Sequence, residues 1–232
     1  MNRTQHKIGK MNEAAWVLGI LLCALGVAFC TKANFGLSMV AAPPYILHLK
    51  LSQYFPWYTQ GTSEYVWQFF LLILTCAAVQ RIRLRYFLSF FTAILFGLSL
   101  DGWLWVLGGG AAYATLIGRI LAYLAGTALT TLSIAFFFRT KLPLEIYELT
   151  VSEIADRYHL PIGRVKLIYD VVMLTISVLF AWLLLGGFTG IGIGTVITTV
   201  LNASLIAMWG RVLDRFFTFE PLFPRFVDKL SS

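Results

Sequence analysis

"FRTKLPLEIYELTVSEIADRYHLPIGRVKLIYD", Phe138 to Asp170, concentrates acidic and basic side chains inside a sequence that is otherwise apolar. A long apolar run precedes it and another follows. Whether this stretch lies in water or enters a membrane decides how the whole chain is built. Pro143 opens a helical pattern, because proline suits the first helical turn, and Glu145 and Glu148 fall where the helix dipole favours acids. Ile146, Leu149, Ile154, Ala155 and Tyr158 form an apolar stripe, with Glu145, Glu148, Ser152 and Asp156 opposite. The usual behaviour of charged faces favours an amphipathic helix on the membrane surface with its acids solvated. A sharper reading tilts its N-terminal end inward, so that Glu145 and Glu148 line a cavity and bind a cation or proton, with Lys141 the nearest partner. An ionised residue at mid-membrane costs about 2.5 to 3.5 kcal/mol, so that reading requires water or a partner nearby.

Of the 232 residues 59% are hydrophobic and 12% charged, whereas soluble domains hold roughly 45 to 50% and about 25%. One core cannot hide that much apolar surface, and the pattern is that of an all-α membrane protein. Six apolar runs read as spanning helices, at about Asn12 to Thr31, Tyr65 to Val79, Tyr86 to Leu107, Ala114 to Phe138, Val165 to Leu185 and Ile191 to Leu213. The second is short, so it must begin earlier or cross a thinned region. Nothing in the first run resembles a cleavage site, so it is read as a retained helix. Cys23, Cys30 and Cys76 all fall within apolar runs and imply no disulfide framework or metal cluster. His6, His48 and His159 lie outside the span interiors without a nucleophile beside them. No enzyme, cofactor or metal is expected.

A net charge of +7 raises nucleic acid as a partner, but the basic residues follow the spans instead. With a cytoplasmic N-terminus, all of the 18 Lys and Arg except Lys32, Lys50 and Arg119 fall on the cytoplasmic side. That split places both termini in the cytoplasm. Anionic inner-leaflet lipid then accounts for the charge without nucleic acid.

The opening stretch has a twin. Aligning the chain on itself pairs Thr31-Lys32 with Thr140-Lys141 and runs without a gap to pair Leu51 with Leu160. After the extra "YFPWYTQ" of the first copy, a second register pairs Gly61 with Gly163 and Gln68 with Asp170. "FGLSLDGW" and "LNASLIAMWG" then occupy similar places in the last helix of each copy. Each unit holds an odd number of spans, so the copies enter the membrane from opposite sides. The expected architecture is two inverted three-helix repeats, residues 1–110 and 111–232, with broken or re-entrant segments at 32–51 and 141–160. Gly36, Pro43 and Pro44 break the first of these segments. Such repeats mark secondary transporters, whose sites lie near the midplane where broken elements meet.

"TKANFGLSMVAAPPYILHLKLS", "GTSEYVWQ" and "RIRLRYFLSFFTAILFGLSLDGW" resemble the YczE/YyaS/YitT group of bacterial integral membrane proteins, and "GFTGIGIGTVITTVLNASLI" is similar to its glycine-rich last helix. The resemblance covers most of the chain. It implies a bacterial plasma (inner) membrane location and this fold, and little about chemistry.

Polar residues near the expected midplane are the candidate substrate contacts. Asn34 and Ser38, beside Gly36, offer polar atoms next to exposed backbone or simply make a turn. Gln68 contacts substrate or bonds between helices. Asp101, an intramembrane acid, is functional by default or caps a loosened helix end. Asp170 pairs with Lys166 one turn earlier or serves function. Asn202 suits an interhelical hydrogen bond. Together with Glu145 and Glu148 these make the candidate binding set. The leading expectation is a transporter or exporter of a small molecule, with proton or cation coupling through the acids. Alternatives are the substrate-binding membrane subunit of a multi-component uptake complex, and a non-transporting scaffold with a packed centre. The "ALGVA" segment, through Ala24 and Ala28, offers a small-residue face for a partner helix or a second copy.

Overall fold

The computed structural model describes residues 12–109, 113–140 and 142–219. Arg3, Lys7, Lys10, Lys141, Arg225 and Lys229, used above for orientation or pairing, lie outside them. The described chain is all-helical: α1 (Asn12–Ala33), α2 (Ala42–Leu51), α3 (Gln60–Val79), α4 (Leu84–Leu107), α5 (Leu116–Phe137), α6 (Ile146–Tyr158), α7 (Ile162–Leu185) and α8 (Ile193–Phe216). Six of these, all but α2 and α6, have 20 to 24 residues and are apolar enough to span. At about 1.5 Å per residue they match a hydrocarbon core of about 30 Å. The chain is a multi-pass membrane protein.

The short second span is resolved by an earlier start. Thr59 caps α3 by accepting from the Thr62 amide at 3.0 Å, which draws Gln60 to Glu64 into the helix. Thr115 caps α5 through the Gly118 amide in the same way.

Packing follows small residues, as it must where lipid offers no hydrophobic drive between helices. The longest seam joins α1 to α5, where Gly26 and Gly126 face each other so closely that a Cβ on either would meet the other's carbonyl oxygen, at 2.8 and 2.7 Å. Ala24 and Ala28 are fully buried in the cluster that holds Phe96, Ala122 and Tyr123. The small-residue face expected to receive a partner helix is therefore consumed within the chain. Around this seam α1 packs on α4 and α5 on α8, α3 on α6 and α7 on α2, α2 on α3 and α6 on α7. The α3–α4 pair is in close contact, whereas α7 and α8 are not.

Candidate functional site

The two short helices, α2 and α6, bring the polar residues together. Gln68 Oε1 accepts from the Ile146 amide at 3.2 Å, pinning the first turn of α6 beside the middle of α3, about 12 Å from its start at 1.5 Å per residue. Farther along, Thr75 and Thr150 hydroxyls meet at 2.8 Å, and Tyr158 donates to the Ala78 carbonyl at 2.9 Å near the end of α3. Helix α6 thus lies alongside a span, its first turn at mid-depth. The carbonyl of Pro143 accepts from Trp16 Nε1 at 2.9 Å, tying the entering segment to α1. Expectation and structure part here: α6 is no solvated surface helix, since Ile146 to Val151 are buried on every side.

From the other half, the chain after α1 turns at Gly36 (φ +102), where an added Cβ would meet the Gly192 amide nitrogen and the Thr195 hydroxyl. Leu37 donates to the Gly190 carbonyl at 3.1 Å and Gly194 to the Phe35 carbonyl at 2.9 Å. These bonds anchor the break against the start of α8. The Ser38 carbonyl accepts from the Ala41 and Ala42 amides, and Ser63 donates to the Pro44 carbonyl at 2.5 Å. The N-terminal ends of α2 and α6 therefore approach one enclosed space.

That space is a cavity of about 40 Å³ walled by Cys23, Val27, Ser38, Val40, Ala41, Glu64, Phe96, Thr130, Ile134, Phe137, Glu145, Tyr147 and Glu148. Glu64, Glu145 and Glu148 are 0%, 4% and 6% exposed. Glu64 Oε2 accepts from the Tyr147 hydroxyl at 2.8 Å. Among the described residues, Glu64 Oε1, Glu145 Oε1 and Glu148 Oε2 accept from no donor, while the Cys23 thiol reaches the Glu145 carboxyl. Burial first, then the Glu148 and Glu64 carboxylates, pushes Glu145 well above the ordinary range. Burial also raises Glu148, against the pull of the Lys166 ammonium. Helix dipoles whose positive ends face the cavity offset part of this cost. Among the described residues no three His, Cys, Asp or Glu are placed to share a metal ion.

A second, smaller cleft of about 10 Å³ adjoins through Ser38 and Val40 and is walled by Met39, Lys166, Asp170, Thr198 and Asn202. Lys166 and Asp170 pair at 2.9 Å. Of the eight expected residues, Ser38, Glu145 and Glu148 line the central cavity, Asp170 and Asn202 line the cleft, and Gln68 holds α6 in place. Asn34 and Asp101 are not brought there. Asn34 ends α1 at φ +55 with its carbonyl taken by Arg119 at 3.0 Å. Asp101 caps α3 from α4, accepting from the Thr59 hydroxyl at 2.6 Å and the Gly61 amide at 2.8 Å. Glu64 was missed because the expected span began one residue after it. The signal was present: Glu64 stands one turn before Gln68 on the same helix face.

The chain is 26% identical over 203 residues to the "Uncharacterized protein YyaS" of Bacillus subtilis (strain 168), a match covering 86% of this chain and 92% of that protein. No solved structure matches. The model of a family of unknown function, DUF6198, matches residues 11–211, and the chain belongs to that family.

Proposed function

We propose that the protein is a transporter or exporter of a small molecule in the bacterial plasma membrane, built as two inverted three-helix repeats with both termini cytoplasmic. The observation that carries this reading is the central cavity: three buried carboxylates, each with an oxygen lacking a donor, at the meeting of two half-helices at mid-depth. A scaffold gains nothing from such atoms, which cost stability, whereas a carrier needs groups that exchange a bound cation or proton. Inverted symmetry is supported by the reciprocal packing of elements four apart in order, α1 on α4 with α5 on α8, and α3 on α6 with α7 on α2. The charge split of the sequence supports the orientation, and the YyaS likeness supports the bacterial location.

Flux tests this. Vesicles from cells making the protein, energised by respiration, are compared with control vesicles for uptake of labelled amines, amino acids and simple cations. Uptake or efflux that falls at least about tenfold in Glu145→Gln or Glu64→Gln is expected. No difference from control vesicles across the panel overturns the reading.

A further inference from the structure

Three acceptor oxygens in the central cavity lack donors, and their side chains are more than nine-tenths buried. Each has given up water without receiving a hydrogen bond in return. No lysine, arginine or histidine among the described residues lines the cavity. The neighbouring ammonium of Lys166 is held by Asp170. Among the described residues no cation supplies that relief, and a ligand that does so brings positive charge together with hydrogen-bond donors. A bare metal ion fits poorly, because the acids are not placed to share one. The other walls, Val27, Phe96 and Phe137 among them, are aliphatic or aromatic. They suit an alkyl group better than a hydration shell. A volume of about 40 Å³, where one water needs about 10 to 15 Å³, admits an ammonium head with an alkyl part of one or two carbons.

We propose that the cavity binds a small primary ammonium cation, which donates to Glu145 Oε1 and to the unpartnered oxygen of the neighbouring Glu148, and whose short alkyl part lies against Val27, Phe96 and Phe137. A primary ammonium brings three donors in one compact group. A quaternary ammonium brings charge without donors, and sodium brings charge without either donors or an alkyl part. Three carboxylates packed in an apolar wall do not all ionise together. The protons they retain leave the site close to neutral when one cation is bound. The inference names the ligand of the site in the transporter reading and rests on that reading for what is carried, but binding is measured separately from flux.

The test uses the full chain purified in detergent. Thermal unfolding and calorimetric titration are followed with methylammonium, ethylammonium, tetramethylammonium and sodium chlorides at constant ionic strength. Methylammonium and ethylammonium are expected to raise the unfolding midpoint saturably, with affinity at least about tenfold better than the other two, the loss that one charge-assisted hydrogen bond accounts for. Glu145→Gln weakens binding by about the same factor. Because the selectivity series needs no variant, a poorly folded mutant does not blunt the test. Equal responses to all four cations, or no response to any, overturn the proposal. Selective binding without flux leaves this inference standing and removes the transporter reading; flux of another solute without ammonium binding does the reverse.

Discussion

Helices α3 and α4 are zipped together, while their sequence counterparts α7 and α8 stand apart. In the first pair Gly61 and Gly97 let the backbones touch: a Cβ on Gly61 would run into the Gly97 carbonyl oxygen, and Asp101 bridges the same seam. In the second pair Gly163, the twin of Gly61, has nothing within 4 Å of where its Cβ would be. The most apolar windows of α3 and α4 are 39% and 28% buried, those of α7 and α8 only 17% each. The acids differ in step with the walls. Beside α3 the carboxylates keep oxygens without donors, whereas on α7 Asp170 holds Lys166 one turn away. Both the central cavity and the cleft between α7 and α8 are walled by Ser38 and Val40. On the inverted-repeat reading, one half is shut and the other parted, and the parted side is where the centre is reached.

The largest effect expected of a single change separates these two seams. Gly61→Leu forces a side chain into the Gly97 backbone, which has no flexible end to yield, and costs more than about 3 kcal/mol, beyond the usual range for overpacking. Gly163→Leu enters open space and stays within about 0.5 kcal/mol, as surface changes do. Unfolding midpoints in detergent report both. Equal tolerance of the two substitutions would mean that the glycine seam does not hold α3 to α4. A smaller loss follows from Asp101→Ala, which leaves the Thr59 hydroxyl and the Gly61 amide without their acceptor. About 2 kcal/mol is expected from the lost cap and its charge-assisted bonds, and Asp101→Asn costs about half as much. Should Asp101→Ala abolish methylammonium binding while leaving stability unchanged, Asp101 belongs to the site and not to the seam.

Sequence patterning carried the spans well, since runs of apolar residues have no other solution in lipid. It failed at segment edges, and the site sits at segment edges. Glu64 fell one residue before the expected start of α3, because hydropathy counts "QGTSE" as polar, whereas the helix begins wherever Thr59 can cap it. Glu145 and Glu148 were seen, yet the charged face of α6 argued for water. What overrides it is a set of partners distant in sequence, Glu64, Gln68, Thr75 and Tyr86, whose bonds to Tyr147, Ile146, Thr150 and Glu153 hold the first turns of α6 inside. Pairwise contacts of this kind leave no periodic trace. Asp101 shows the converse: an acid in an apolar run reads as functional, but its target is the backbone of a helix that begins about 40 residues earlier.

The smallest effect tests the parted side, through Lys166. Its side chain is 30% exposed and that of Asp170 16%, so Lys166→Met costs only about 1 kcal/mol at neutral pH, the scale of partly wetted ion pairs. Its signature lies in the pH dependence. Burial raises Glu148 above its ordinary 4.5, and Lys166 is the group that most opposes the rise. A carboxyl raised on folding keeps a proton that the unfolded chain releases, so stability is lost as pH climbs from the ordinary value through the folded one. Without Lys166 the folded value climbs further, and the loss extends to higher pH. Unfolding midpoints measured from about pH 5 to 8 should therefore fall more steeply in Lys166→Met than in the parent, and adding Glu148→Gln should reduce the extra slope, leaving the share of Asp170, which Lys166 also holds. If the two proteins show parallel curves, Lys166 does not act on Glu148, and the cleft and the central cavity are electrostatically separate.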